Sequence, residues 1–166
     1  MRIGIVHTRD PFAPGDEAGV AAALGDALVA AGHEAVPLGL PLRWDDPLQM
    51  VEQVLAVRLL GIGNLDRVIV LGFPAMCVNH HHRYVWQVEA GASAVCASLP
   101  ATPRGDDARA AMMRVEAEFL GRAVRAYAAS AGDAARMREA ASRDVAVLPL
   151  PGDADAWAGV VAELTR

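Results

Sequence analysis

Residues 66–90 read DRVIVLGFPAMCVNHHHRYVWQVEA and contain two apolar runs, each about the length of a buried strand. The first run, Arg67 to Leu71, is followed by a Phe-Pro turn, a short Ala-Met-Cys-Val segment and three histidines, and the second run covers Tyr84 to Val88. We expect the two strands to lie side by side in a parallel sheet. Because ligands bind beyond the carboxyl ends of such strands, residues 72–83 and 89–93 are the predicted functional region.

Strand-like and helix-like segments alternate along the rest of the chain. Predicted strands cover residues 2–7, 34–38, 67–71, 84–88, 125–130 and 145–148, and predicted helices cover residues 16–31, 47–60, 107–121, 131–141 and 153–164. Residues 91–106 are small and polar with two prolines, which predicts a loop. The alternation predicts one α/β domain over residues 1–166, with about six mainly parallel strands and helices on both faces.

Two helix ends carry recognisable signals. Gly32 with His33 is typical of a glycine that closes a helix, and Asp46 before Pro47 is typical of an acidic residue that caps the start of one. The second helix is predicted to bury an apolar stripe made of Met50, Val51, Val54, Leu55, Val57 and Leu59.

The preferred strand order is 2-1-3-4-5-6, and the alternative is 3-2-1-4-5-6. In the preferred order the strand at Arg67 to Leu71 lies beside the first strand. The loop from Asp10 to Asp16 then lies against the segment from Gly72 to His82, which creates a crevice at the point where the strand order reverses.

Charge and composition exclude several classes of function. The net charge of -5 and the pI near 5.5 argue against a nucleic-acid partner. The basic residues are all arginine, so a phosphate loop ending in Gly-Lys-Ser/Thr, a Schiff-base lysine and a lysine general base are excluded. The two cysteines fit no disulfide framework. The N-terminal MRIGIV leads directly into a predicted strand and does not resemble a signal peptide. No apolar window reaches the roughly 18 residues that a membrane span requires. We therefore expect a reduced cytoplasmic protein without a membrane span.

Five segments of the chain share a pattern with a known family: an early strand with a Pro- and Gly-containing loop, ALVAAGHEAV, LRWDD before a helix, DRVIVLGFPAMCV and the strand with Trp86. Together they resemble the N-terminal domain of family 4 glycosyltransferases of the GT-B type. FLGRAVRAYAAS and AVLPLPGD resemble later parts of the same domain. The resemblance implies a Rossmann-like three-layer sandwich and an acceptor-binding role.

The chain departs from that family pattern at several positions. Gly72 stands where the family has lysine, Met76 where it has tyrosine, and Glu89 where it has a histidine at the strand end. The family's second domain binds the nucleotide-sugar with two glutamates eight positions apart, and no two glutamates here have that spacing. The resemblance therefore implies an acceptor-side half without the donor half, inactive in sugar transfer by itself and dependent on a partner.

Glu89 is the candidate catalytic residue. It is either a general base with a raised pKa at a strand end or a capping or surface carboxylate. The residues predicted to bind a substrate, from their place in the crevice or the resemblance, are Asp10, Gly15, Asp16, Gly72, Phe73, His80 and Ser130. Gly15 and Asp16 could alternatively cap the first helix, and Ser130 is first of all an N-cap.

No cofactor or metal is predicted. His80, His81 and His82 with Cys77 and Cys96 fit no closed zinc spacing, so a solvated, pH-responsive turn is the preferred interpretation.

Three functional classes remain open on the sequence. They are a glycosyltransferase subunit that binds a sugar or glycosylated acceptor beside a second glycosyltransferase chain, a non-catalytic binding or assembly relative, and a flavodoxin-like small-ligand module. A domain that closes against another one exposes an apolar or small-residue surface, so we also expect a homo- or hetero-oligomer.

Overall fold

The computed structural model describes residues 1–9, 16–89, 91–153 and 155–166 and contains one sheet of six parallel strands. The strands are β1 (Arg2–Arg9), β2 (Glu34–Pro41), β3 (Arg67–Val70), β4 (Arg83–Gln87), β5 (Arg125–Ala128) and β6 (Ala146–Val147). The helices are α1 (Asp16–Ala30), α2 (Pro47–Leu59), α3 (Ala92–Val95), α4 (Pro103–Gly121), α5 (Ala131–Ala141) and α6 (Trp157–Leu164), with short 3-10 turns at Ala75–Cys77 and Cys96–Ser98.

The strand order is β2-β1-β3-β4-β5-β6, which confirms the preferred order. β1 pairs with β2 on one side and with β3 on the other, in a register that sets Ile5 opposite Pro37 and Ile69. The chain therefore leaves β1 toward one side of the sheet and later returns to its other side. The carboxyl ends of β1 and β3 form the switch point that ligand sites of this architecture use.

The sheet is apolar on both faces because side chains alternate along each strand. Ile3, Ile5, Ile69 and Trp86 pack with α1 and α6, and Trp86 is completely buried. The other face carries a second cluster, which α2, α4 and α5 cover and which includes Val6, Val68, Val70, Val85, Met50, Met112 and Met137. The fold is thus the predicted α/β three-layer sandwich.

Both predicted helix ends are confirmed. Gly32 has a φ of 83° after α1, a conformation that glycine adopts without strain. At the start of α2, the Asp46 carboxylate accepts hydrogen bonds from the amides of Leu48 (2.8 Å) and Gln49 (3.0 Å), and Pro47 is the first helical residue.

Two local predictions are wrong. Residues 91–106 are not one loop, because they contain α3, a 3-10 turn and the first turn of α4, where the Thr102 hydroxyl accepts from the amide of Gly105 at 3.2 Å. The predicted stripe on α2 is also incomplete. Met50, Val54 and Val57 are buried, but Leu55 and Leu59 face outward, so only part of this apolar set contacts the core.

β2 forms one edge of the sheet. The amide of Glu34 donates to the carbonyl of Met1 at 2.9 Å, so the even-numbered residues of β2 direct their backbone polar groups toward β1. Pro37 and Pro41 are odd-numbered and lie on the open side of the strand, where a missing N–H breaks no pairing.

Among the described residues, no helix has the length and the hydrophobicity that crossing a membrane requires.

Replacing Gly105 with alanine is expected to destabilise the fold by about 1–3 kcal/mol. A Cβ at Gly105 would collide with the backbone carbonyl oxygen of Pro100, which has little freedom to move. The matched control in the same helix is Gly121→Ala, where a Cβ has no neighbour within 4 Å and alanine favours the helix. Urea denaturation of both variants tests this; equal stabilities would contradict the packing at Gly105.

Candidate functional site

The candidate site lies at the switch point, where β1 and β3 end side by side. We use "the crevice" for the residues grouped there: Thr8 near the end of β1, Glu17 in the first turn of α1, Gly72 after β3 and Glu89 after β4. These four residues come from four separate segments. The parallel sheet brings them together because all four segments lie at the carboxyl-terminal ends of the strands.

Glu17 is the central side chain of the crevice. It is only 5% exposed, and its Oε2 accepts a hydrogen bond from the amide of Thr8 at 2.8 Å. A Cβ at Gly72 would lie 2.7 Å from Glu17 Oε1, so the carboxylate occupies space that any larger residue at position 72 would need. Gly72 therefore lies against Glu17, and its lack of a side chain leaves room for the carboxylate.

Burial raises the pKa of Glu17 to about 7. The hydrogen bond from the Thr8 amide opposes this rise because it stabilises the charged carboxylate, whereas the negative charge of Glu89 adds to it. Glu17 consequently changes protonation close to neutral pH, which is the range in which a carboxyl group can both accept and release a proton during a reaction.

Glu89 lies directly beside Glu17. Its Oε1 accepts a hydrogen bond from the backbone amide of Glu17 at 2.9 Å, at the amino terminus of α1. This contact matches the capping interpretation of Glu89, and the positive end of the helix dipole favours a carboxylate there. It also places two carboxyl groups together in one crevice.

A buried polar network holds the segment that carries Glu89. Glu116 of α4 is fully buried and accepts from the amide of Ala92 at 3.0 Å and from Arg136 Nη1 at 3.3 Å. With its amide oriented to satisfy both neighbours, Gln87 accepts from Gly91 N at 2.9 Å and from Arg136 Nη2 at 2.6 Å. This network holds Gln87, Gly91 and Ala92, which lie on either side of Glu89 in the sequence.

Gly91 is essential to that network. A Cβ at this position would collide with Glu116 Oε1 and would lie 2.5 Å from Arg136 Nη2. The backbone at Gly91 is therefore packed closely against two charged side chains.

The other predicted site residues have different positions. Asp10 and Gly15 lie outside the described residues; Asp16 is the first residue of α1, and its side chain also lies outside them. Phe73 is 2% exposed and packs in the core cluster with Met50, so it lines the core rather than the crevice. Ser130 caps α5: its hydroxyl accepts from the amide of Asp133 at 3.1 Å, and it is exposed.

His80 is at the other end of the sheet. Its Nε2 lies 3.2 Å from the carbonyl oxygen of Leu65, which precedes β3, and its Nδ1 accepts from the amide of His82 at 3.2 Å. Burial lowers its pKa, and the ring stacks on His81 with centroids 4.7 Å apart. His80 therefore does not belong to the crevice.

Cys77 and Cys96 are free and buried. Within the described ranges, no group of three or more histidine, cysteine or acidic side chains is arranged to hold a metal ion.

Glu17 and Glu116 were not identified from the sequence. Glu17 had a usable signal, because it is a carboxylate in the first turn of the helix that follows the first strand of the switch point. Glu116 had none, since a glutamate in the middle of an amphipathic helix is typical of an exposed residue.

Comparisons of the chain with models of protein families, with curated proteins and with solved structures find no match.

Proposed function

We propose that the chain is the acceptor-side domain of a glycosyltransferase-like enzyme and binds an uncharged sugar or glycosylated acceptor in the crevice. The observation that supports this most is the pair of carboxyl groups, Glu17 and Glu89, that two distant segments bring to the switch point. The sequence resemblance over residues 1–90 points to the same class of molecule. The free, buried cysteines of the chain are compatible with a cytoplasmic location.

The charge of the crevice selects the chemistry of the ligand. The Glu89 carboxylate accepts hydrogen bonds from hydroxyl groups and repels a phosphate, and Glu17 adds to both effects when it is ionised above about pH 7. A polyhydroxy ligand without phosphate is therefore favoured over a nucleotide or a flavin phosphate. Within this proposal Glu17, with its pKa of about 7, accepts a proton from an acceptor hydroxyl, and Glu89 holds α1 in place beside it.

The donor side of the reaction is assigned to another domain or chain. A departing diphosphate needs positive charge or helix N-terminal amides, and the crevice presents carboxylates to that region. Two arginines bear on this need for positive charge. Arg9, at the end of β1, is exposed. Arg83, at the start of β4, donates to the carbonyls of Val78 and Phe119 and is buried at the opposite end of the sheet from the crevice.

The test is a calorimetric titration of the intact chain with a panel of uncharged oligosaccharides, nucleotide-sugars and flavin mononucleotide. At pH 8, where Glu17 is ionised, we expect binding by one class of oligosaccharide, weakened about ten- to hundredfold by Glu17→Gln because a hydrogen bond to a charged group contributes about 1.5–3 kcal/mol. Glu89→Gln should also weaken binding, because it removes the charge that holds the start of α1 beside the ligand. Glu139→Gln on the exposed side of α5 is the matched control and should bind normally.

Two results would contradict the proposal. Tight binding of a nucleotide-sugar or a flavin without any sugar binding would replace it with a nucleotide-binding module. Release of nucleoside diphosphate by the chain alone, abolished by Glu89→Gln, would place the donor site on this chain and make Glu89 a catalytic base.

A further inference from the structure

A leucine stripe lies on the outer surface of α2. Leu48, Leu55 and Leu59 are 65%, 50% and 86% exposed, and their spacing of seven and four residues puts them on one side of the helix. Clustered exposed leucines of this kind mark surfaces that bind another macromolecule. This stripe is on the α2 and α4 side of the sandwich and is separate from the crevice.

An open groove adjoins the stripe. It lies between the first turns of α2 and the first half of α4, has a volume of about 620 Å³, and is lined by Pro47, Leu48, Val51, Ala108, Ala111 and Arg114. Toward their carboxyl ends the two helices are joined by the ion pair of Arg58 with Glu118, at 3.4 Å. Ala108 and Ala111 are too small to fill the space between the helices, so the groove stays open.

The groove carries unpaired charges of both signs. Asp46, which caps α2, lines it together with Arg104, Asp107 and Arg114 of α4, and none of these three α4 residues has an ion-pair or hydrogen-bond partner among the described residues. Asp107 and Arg114 are the opposite charges of this set that α4 contributes one above the other. They are seven residues apart, so they lie on the same face of α4, about two turns from each other. One surface patch therefore offers an acid and a base at a fixed spacing beside exposed leucines.

We propose that this face, formed by the α2 stripe and the groove, binds a second copy of the chain about a two-fold axis. When α4 crosses the partner's α4 antiparallel near Ala110 and Ala111, Asp107 of each copy faces Arg114 of the other, and the leucine stripes become covered. A two-fold interface requires a self-complementary patch, and a patch with both charges meets that requirement. A partner with charges of one sign would leave one of the two residues facing a like charge.

The experiment is sedimentation equilibrium of the intact chain and of two charge reversals, Asp107→Arg and Arg114→Asp. We expect the unmodified chain to dimerise, and each variant alone to dimerise at least about tenfold more weakly because like charges then face each other. An equimolar mixture of the two variants should dimerise again, since each contact between position 107 of one copy and position 114 of the other then joins an arginine to an aspartate. Asp26→Arg on α1, which covers the opposite face of the sheet, is the control and should leave dimerisation unchanged.

Other outcomes overturn the proposal. A monomer at the highest attainable concentration, or a dimer that resists both reversals, would exclude this interface. A monomer that binds an apolar dye, and loses it on Ala111→Trp, would assign the groove to a small apolar ligand instead.

Discussion

Replacing Arg136 with alanine is expected to destabilise the chain by about 3 kcal/mol, because it leaves the carboxylate of Glu116 buried without its counter-ion. The hydrogen bond from Ala92 remains, but it does not neutralise the charge. Urea denaturation at neutral pH measures the loss. Arg104→Ala, on the exposed start of the same α4 that carries Glu116, is the control and should change the free energy of unfolding by less than about 0.5 kcal/mol.

The double variant Glu116→Leu with Arg136→Leu should be more stable than Glu116→Leu alone and than Arg136→Leu alone, because it leaves no uncompensated charge. The non-additivity of this cycle measures the coupling of the pair. A loss below about 1 kcal/mol for Arg136→Ala, or strictly additive effects, would mean that Glu116 is held by its backbone contact alone. Hydrogen exchange at Ala92 should also quicken in Arg136→Ala, since the turn beside Glu89 loses its anchor.

Glu17 should lower the free energy of unfolding as the pH rises from about 5 to about 7. The folded chain keeps the Glu17 proton up to about pH 7, whereas the unfolded chain releases it near the ordinary glutamate pKa of 4.5. Folding stability contributed by the protonated group is therefore lost as the pH rises through this window. The difference corresponds to a cost on the order of 3 kcal/mol above pH 7.

Glu17→Gln isolates this contribution because glutamine keeps the shape, can still accept from the Thr8 amide and does not titrate. We expect the variant and the unmodified chain to be similar near pH 5, and the variant to be more stable at pH 8. Glu139→Gln, an exposed substitution, should follow the unmodified chain at every pH. A stability difference between Glu17→Gln and the unmodified chain that does not vary with pH would show that Glu17 is ionised throughout.

The strand order was predictable because it depends on patterns that the chain repeats locally. Apolar runs bounded by proline and glycine define the strands, and helices between them force parallel pairing. The α2 stripe was less predictable, since periodicity identifies an apolar position without saying whether anything covers it. Val54 and Leu55 are adjacent aliphatic residues, yet Val54 is buried and Leu55 is half exposed.

The crevice was predictable as a location but not as a set of side chains. Gly72 and Glu89 follow strands whose ends could be predicted, so their position at this end of the sheet could be predicted too. Glu17 could not be identified because its role depends on burial against Gly72 and on the hydrogen bond from the Thr8 amide. His80 is not where it was predicted, because its loop runs back to the residues that precede β3. Such contacts join segments that are distant in the sequence, and local sequence patterns do not predict them.

The prolines of β2 also affect what happens when many copies of the chain meet. A sheet with two apolar faces is prone to aggregate if its outermost strand can pair with an identical strand from another molecule. Cross-β fibrils grow by such pairing. On the open side of β2, N–H donors remain at Ala35 and Gly39, and Pro37 interrupts them. At the opposite edge, β6 has only two residues. The chain thereby keeps a strongly apolar sheet while offering neighbouring molecules very little backbone to extend.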